Sequence, residues 1–157
     1  MSPREREILV AKSRALCKHN VAIQIRELLD DTKYKYGARN WAEDEAESMI
    51  ADLVFEEDEN VAQLRKRATR EELKFDAALR IRTFLDSVKG RYGKAWTELE
   101  VERIVLSGDE YEDEELAAIL AEIEPPLRDI LREARRAYGA TDWDENELEN
   151  DVLELVF

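Results

Sequence analysis

Residues 128–152 read RDILREARRAYGATDWDENELENDV, and the same pattern occurs twice earlier in the chain. An Arg stands eleven residues before the Gly of each copy, and Glu recurs two, four and six residues after each Trp. The aromatic residues that mark the three copies are Tyr36 and Trp41, Tyr92 and Trp96, and Tyr138 and Trp143. So many aligned identities predict an internal triplication, which is the signature of a repeat architecture.

The residues before each Gly predict an amphipathic helix. Apolar side chains recur there at helical spacing, as Ile130, Leu131 and Ala134 do in the third copy. Gly is favoured just past a helix end because it accepts a left-handed conformation without a Cβ clash. We therefore predict that a helix ends at each Tyr-Gly pair.

A second helix is predicted to begin beside each Trp. Residues with capping-box spacing stand there in every copy, namely Asn40 with Glu43, Thr97 with Glu100, and Asp142 with Glu145. A further helical stretch precedes each copy; it starts at Ser2-Pro3 in the first copy and is ended by Pro125-Pro126 in the third. No stretch shows the sustained alternation of a strand.

These patterns together predict an all-α protein. It consists of three tandem three-helix units, each containing a helical hairpin with a Tyr-Gly…Trp corner. The predicted units are residues 1–57, 58–108 and 109–157, of which the last is strongly acidic. The pattern leaves open whether they form an open array or one compact domain.

The Glu four residues after each Trp is expected on the buried side of its helix, where an unpaired carboxylate is costly. The basic residue four before each Gly lies at a similar depth along the preceding helix, at about 1.5 Å per residue. We therefore predict the structural ion pairs Lys33–Glu45, Lys89–Glu100 and Arg135–Glu147.

Two further Glu residues share one helix face in every copy: Glu43 and Glu47, Glu98 and Glu102, and Glu145 and Glu149. Like charges one turn apart are mildly unfavourable in a helix. The favoured interpretation is a solvated face, and the first alternative is a repeated anionic strip that contacts a basic partner. A divalent-cation site ranks last, because it needs more converging oxygens than one helix face supplies. The aromatic corners are interpreted as core anchors rather than as the lining of a groove.

The net charge of −14 lies almost wholly in residues 109–157, which contain 4 basic and 17 acidic residues. Its densest run, residues 109–115, includes Glu110, Asp113 and Glu114. Such a field disfavours nucleic acid and anionic lipid and favours basic protein partners. The basic residues 65–67 are interpreted as a solvated helix surface, with a contact for the acidic unit as the alternative.

The residues that catalysis or metal binding would need are scarce. A single Cys17 and a single His19 exclude a disulfide framework and any multi-Cys or multi-His metal centre, and no phosphate-binding loop is present. We predict no catalytic residue, no metal and no cofactor. No apolar run is long enough to span a membrane and no secretory signal is recognisable, so a cytoplasmic protein is predicted.

The leading functional hypothesis is a non-catalytic helical-repeat binding or regulatory protein. Its acidic surface, mainly in the third unit, is expected to engage a basic protein partner, with no direct contact to nucleic acid or membrane. The alternative is a DNA mimic that occupies a nucleic-acid-binding protein. An enzyme ranks lowest, and a homo-oligomer is left open.

Overall fold

The computed structural model describes residues 2–37, 60–139 and 142–157. These residues form helices and no strand, which confirms the prediction of an all-helical protein. The helices are α1 (Pro3–Tyr36), α2 (Val61–Tyr92), α3 (Lys94–Glu98), α4 (Val101–Ser107), α5 (Glu114–Tyr138) and α6 (Glu145–Val156). Among the described residues, no helix combines the length and the apolar character needed to cross a membrane.

The chain divides into two compact units that differ from the three predicted repeats. The larger unit contains Met1–Lys12 and Glu72–Phe157, and the smaller contains Ser13–Glu71. The predicted boundary at residues 57 and 58 lies outside the described residues, so the division into three repeats stays a prediction. The predicted joint after residue 107 falls at the end of α4, where Gly108 caps the helix with a φ of 70°.

The smaller unit contains a buried charged side chain. Arg26 is buried and binds Asp30, one turn later on α1, at 2.7 Å. Leu29 and Leu64 are buried in the same unit. A buried guanidinium needs such a partner because an unpaired buried charge is strongly unfavourable.

Three helices end where the Tyr-Gly pairs predict. α1, α2 and α5 have a Tyr as their last residue, and the Gly that follows has a φ of 101°, 57° and 74°, respectively. Only Gly adopts such angles readily. The predicted start of α1 also holds, since Ser2 Oγ accepts a hydrogen bond from the Glu5 N–H at 3.2 Å.

The expectation that Pro125-Pro126 ends a helix is wrong, because α5 continues through both residues. The described part of residues 109–157 therefore forms two helices, where three were predicted. Proline removes a backbone donor and crowds the preceding turn, at a cost of about 3 kcal/mol in a helix interior. One apolar stripe runs along both sides of the proline pair, and its buried residues are Leu116, Ile119, Ile123, Leu127, Ile130, Leu131 and Ala134. Burial of this stripe against the rest of the unit offsets the local cost.

In the second and third copies, the second helix of the predicted hairpin differs from its predicted form. In the second copy it is divided into α3 and α4 at Glu100, which has a left-handed backbone with a φ of 52°. In the third copy, α6 begins two residues later than its cap was predicted, since Asp144 accepts the Glu147 N–H at 2.8 Å. The predicted caps at Thr97 and Asp142 therefore do not start these helices, and Asn40 lies outside the described residues.

The tryptophans of the second and third predicted corners lie in the core of the larger unit. Trp96 and Trp143 are both buried, and the Trp143 side chain is 0% exposed. The ring of Tyr138 packs edge-on against Trp143, with 5.3 Å between ring centroids. Trp143 Nε1 donates a hydrogen bond to Asp151 at 3.2 Å, so its polar atom is satisfied.

Candidate functional site

Arg82 on α2 is the centre of a buried polar network. The guanidinium lies 2.7 Å from carboxylate oxygens of both Asp86 and Glu102, and it also donates to the Val156 carbonyl at 3.4 Å. Trp96 Nε1 donates to the same Glu102 oxygen at 3.4 Å. This network joins α2 to α4 and to the end of α6, so its role is to hold helices together.

Glu102 is therefore turned toward the core, although the sequence places it in an exposed strip with Glu98. Glu98 itself is exposed. Glu145 is exposed and Glu149 half-buried on α6, and both line the cleft described below. The corresponding Glu43 and Glu47 lie outside the described residues.

The residues of the predicted ion pairs take the following places. Glu100 forms an ion pair with Arg103 at 3.0 Å, and Lys89 is exposed on α2. Arg135 and Glu147 are both exposed, on α5 and α6. Lys33 lies in the last turn of α1, while Glu45 and Trp41 lie outside the described residues.

The first candidate site is the acidic segment, residues 109–115, which links α4 to α5. Its six carboxylates are all exposed, and none of them forms an ion pair in the part of the chain that the structure describes. Asp113 also caps α5, since its side chain accepts the Leu116 N–H at 3.1 Å. Leu106 and Tyr111, beside and within the segment, are 49% and 45% exposed.

At the end of α2, Tyr92 and Arg91 both bind Glu122 of α5. The Tyr92 hydroxyl donates to Glu122 at 2.7 Å, and Arg91 forms an ion pair with the same carboxylate. The hydrogen bond to Glu122 raises the pKa of Tyr92 above its ordinary value of 10.0. The same hydrogen bond, assisted by Arg91, lowers the pKa of Glu122 below 4.5.

Replacement Glu122→Gln is expected to lower the pKa of Tyr92 toward 10.0, because the phenolate would no longer face a carboxylate. In the parent protein, the raised pKa means that this contact stabilises the fold fully below pH 10.0 and is lost as pH rises through the folded pKa of Tyr92. The lowered pKa of Glu122 gives the opposite pH dependence. The contribution of Glu122 to stability is present above pH 4.5 and is lost as pH falls through the pKa of Glu122 in the folded protein.

The measurement is an ultraviolet titration of tyrosinate, with the Tyr92→Phe protein subtracted to isolate the Tyr92 signal. An unchanged Tyr92 titration in the Glu122→Gln protein would contradict the assigned contact.

The second candidate site is the arginine cleft between α5 and α6, with a volume of about 450 Å³. One wall consists of all four basic residues of the segment 109–157, which are Arg128, Arg132, Arg135 and Arg136. Their spacing puts them along one face of α5. Leu131 and Leu148 also line the cleft, and Glu145 and Glu149 contribute from α6.

The arginines of this wall differ in their partners. Arg128 binds Glu124 at 3.0 Å; this contact raises the pKa of Arg128, and Glu149 and Glu145 add to the effect. Arg132 is 4.0 Å from Asp129. Within the described residues, Arg135 and Arg136 form no ion pair, and both are exposed. Their guanidinium groups are available to an external anion.

A pocket of about 230 Å³ adjoins this cleft and shares Arg128 and Glu149 with it. Apolar and acidic side chains line this pocket together, among them Ile104, Leu120, Leu127, Tyr111, Asp109 and Glu124. Cationic groups and a recess of mixed polarity therefore lie side by side on the larger unit.

Sequence reasoning missed the arginine cleft. The signal was present, because the four arginines are spaced at i, i+4, i+7 and i+8 and the rest of that third of the chain is acidic. What the sequence lacked was the position of α6, which turns one helix face into a cleft.

Within the described residues, no group of three or more His, Cys, Asp or Glu side chains is placed to hold a metal ion. Cys17 is exposed on α1. Comparisons of the chain with protein-family models, with curated proteins and with solved structures found no match.

Proposed function

We propose that this chain is a non-catalytic, helical-repeat binding or regulatory protein whose acidic segment engages a basic surface of another protein. The observation that carries the proposal is the state of the six carboxylates in residues 109–115, which are exposed and without ion pairs among the described residues. Adjacent like charges repel one another, so a basic partner surface is favoured over water alone.

The exposed apolar side chains at the segment support a protein partner over a simple counter-ion. Leu106 and Tyr111 each leave nearly half of their surface accessible beside the carboxylates. Aromatic residues are enriched in the centres of protein interfaces, where they bury large areas. The expected partner presents Lys or Arg around an apolar contact.

The repeat organisation is part of the same proposal. Arg26 and Arg82, which the triplication aligns, are both buried, and each binds the Asp four residues later. The third copy departs from this pattern, because its Arg128 is exposed and binds Glu124. Repeats of this kind commonly serve as scaffolds that present a surface.

Charge reversal tests the acidic segment. The variant is Glu110→Lys with Glu112→Lys, because both residues precede α5 and their replacement leaves the Asp113 cap intact. The control is Glu72→Lys with Glu154→Lys, which makes the same charge change at exposed positions on α2 and α6. Partners are first identified by affinity capture with mass spectrometry, and the affinity of a purified partner is then measured by calorimetry.

The segment variant is expected to bind that partner about tenfold more weakly than the control. Equal affinity of the two variants would refute the proposal. Displacement of the partner by duplex DNA would instead support the DNA-mimic alternative.

A further inference from the structure

We propose that the arginine cleft, together with the adjoining pocket, binds an acidic peptide segment of another protein. The carboxylates of that segment would pair with Arg135 and Arg136, and one of its apolar side chains would fill the pocket at Ile104, Leu120 and Leu127. The arginines of the cleft are opposite in charge to the acidic segment, whose Asp109 and Tyr111 border the adjoining pocket. The inference does not depend on the proposed function.

The first argument is the distribution of charge. Residues 109–157 contain only four basic residues, and all four line this one cleft. Two of them, Arg135 and Arg136, have no ion-pair partner among the described residues although acidic side chains abound in the same unit. Arginine presents a planar fork of donors that matches a carboxylate with two parallel hydrogen bonds. These two side chains can therefore bind a carboxylate through paired hydrogen bonds.

The second argument selects a peptide over a polyanion. Glu145 and Glu149 line the cleft opposite the arginines, and they would repel nucleic acid or any ligand with charge along its whole length. Leu131 and Leu148 add apolar surface between the two charged walls. A peptide can place carboxylates toward α5 and uncharged backbone or side chains toward α6.

The third argument is the size and continuity of the two recesses. About 450 Å³ and 230 Å³ are volumes that accommodate several side chains. Because the recesses share Arg128 and Glu149, a segment of a few residues reaches both. An apolar anchor beside a charged pair is a common arrangement of binding hot spots.

Selection from a displayed library of random eight-residue peptides tests this inference with the full chain as bait. The enriched peptides are expected to combine Asp or Glu with one aromatic or branched aliphatic residue. Binding of a fluorescein-labelled consensus peptide is then measured by anisotropy. An enriched set without acidic residues would overturn the proposal.

The decisive variant is Arg135→Glu with Arg136→Glu, and Arg135→Gln with Arg136→Gln serves as a second variant that adds no negative charge at the end of α5. Both are expected to bind the consensus peptide about tenfold more weakly or worse. The control, Arg6→Glu with Arg14→Glu, changes two exposed arginines of α1 and is expected to bind as the parent does. Equal binding by all of these proteins would overturn the inference.

Two further outcomes would reassign the cleft. Displacement of the peptide by inorganic phosphate, at concentrations where chloride has no effect, would show that the arginines select phosphate rather than carboxylate. Self-association in sedimentation velocity that the Arg135→Gln/Arg136→Gln variant abolishes would make a second copy of this chain the occupant.

Discussion

Replacement of Trp143 by alanine is expected to lower the free energy of unfolding by about 3–5 kcal/mol. The Trp143 side chain is fully buried, contacts the edge of Tyr138 and donates its indole N–H to Asp151. Alanine would leave a cavity and an Asp151 oxygen without its donor, and neighbouring helices would fill the space only in part. This loss is a large fraction of the stability of an ordinary domain, which is about 5–15 kcal/mol.

Urea unfolding followed by far-ultraviolet circular dichroism measures the change, with Tyr111→Ala as the control. Tyr111 is 45% exposed, so its truncation is expected to cost less than about 0.5 kcal/mol. The Trp143→Phe variant separates the contribution of packing from that of the hydrogen bond to Asp151, because phenylalanine retains most of the packing and lacks the indole donor. A Trp143→Ala protein as stable as the Tyr111→Ala protein would show that the tryptophan is not a core anchor.

Replacement Arg82→Met is expected to lower the free energy of unfolding by about 2–4 kcal/mol. The buried guanidinium holds Asp86, Glu102 and the Val156 carbonyl, and methionine satisfies none of them. The expected loss is below that of a fully enclosed pair, since the side chains of Asp86 and Glu102 are 28% and 35% exposed and regain some water.

The matched control is Arg80→Met, on the same helix two residues earlier. Arg80 binds Glu133 at 2.6 Å, but both side chains are 55% exposed. Exposed ion pairs contribute about 0–1 kcal/mol, so the control is expected to be nearly neutral. If the two variants unfold at the same urea concentration, burial does not distinguish the two ion pairs and the central role of Arg82 is wrong.

Local backbone rules account for the parts of the fold that the sequence predicted well. The ends of α1, α2 and α5 follow from Gly beside Tyr, since a left-handed residue stops the hydrogen-bond pattern whatever lies nearby. The start of α1 at Ser2-Pro3 also depends only on neighbouring residues, since Ser2 Oγ accepts a hydrogen bond from the Glu5 N–H. The helical character of α5 and α6 follows in addition from the helical spacing of their apolar residues.

The predictions that failed each depended on a neighbouring helix. The proline pair Pro125-Pro126 is a local stop signal, yet the buried stripe on either side of it decides that α5 continues. The capping-box spacing of Thr97 and Glu100 predicted one helix from the Trp onward in the second copy, while the structure divides it at Glu100. The sequence pattern predicted Glu102 on an exposed strip, whereas the structure places its carboxylate 2.7 Å from Arg82.

The candidate sites divide in the same way. Composition located the acidic segment, because a run of six carboxylates in seven residues has too little apolar content to be buried. The arginine cleft exists only because α6 lies beside α5, and the partners of Arg82 come together only because α2, α4 and α6 meet.

The sequence by itself determined the helical class, the helix ends at glycine and the location of excess charge, since these depend on residues close in the chain. Only the tertiary structure decided which charges are paired and which face a cleft, because pairing depends on distances between residues that are far apart in sequence.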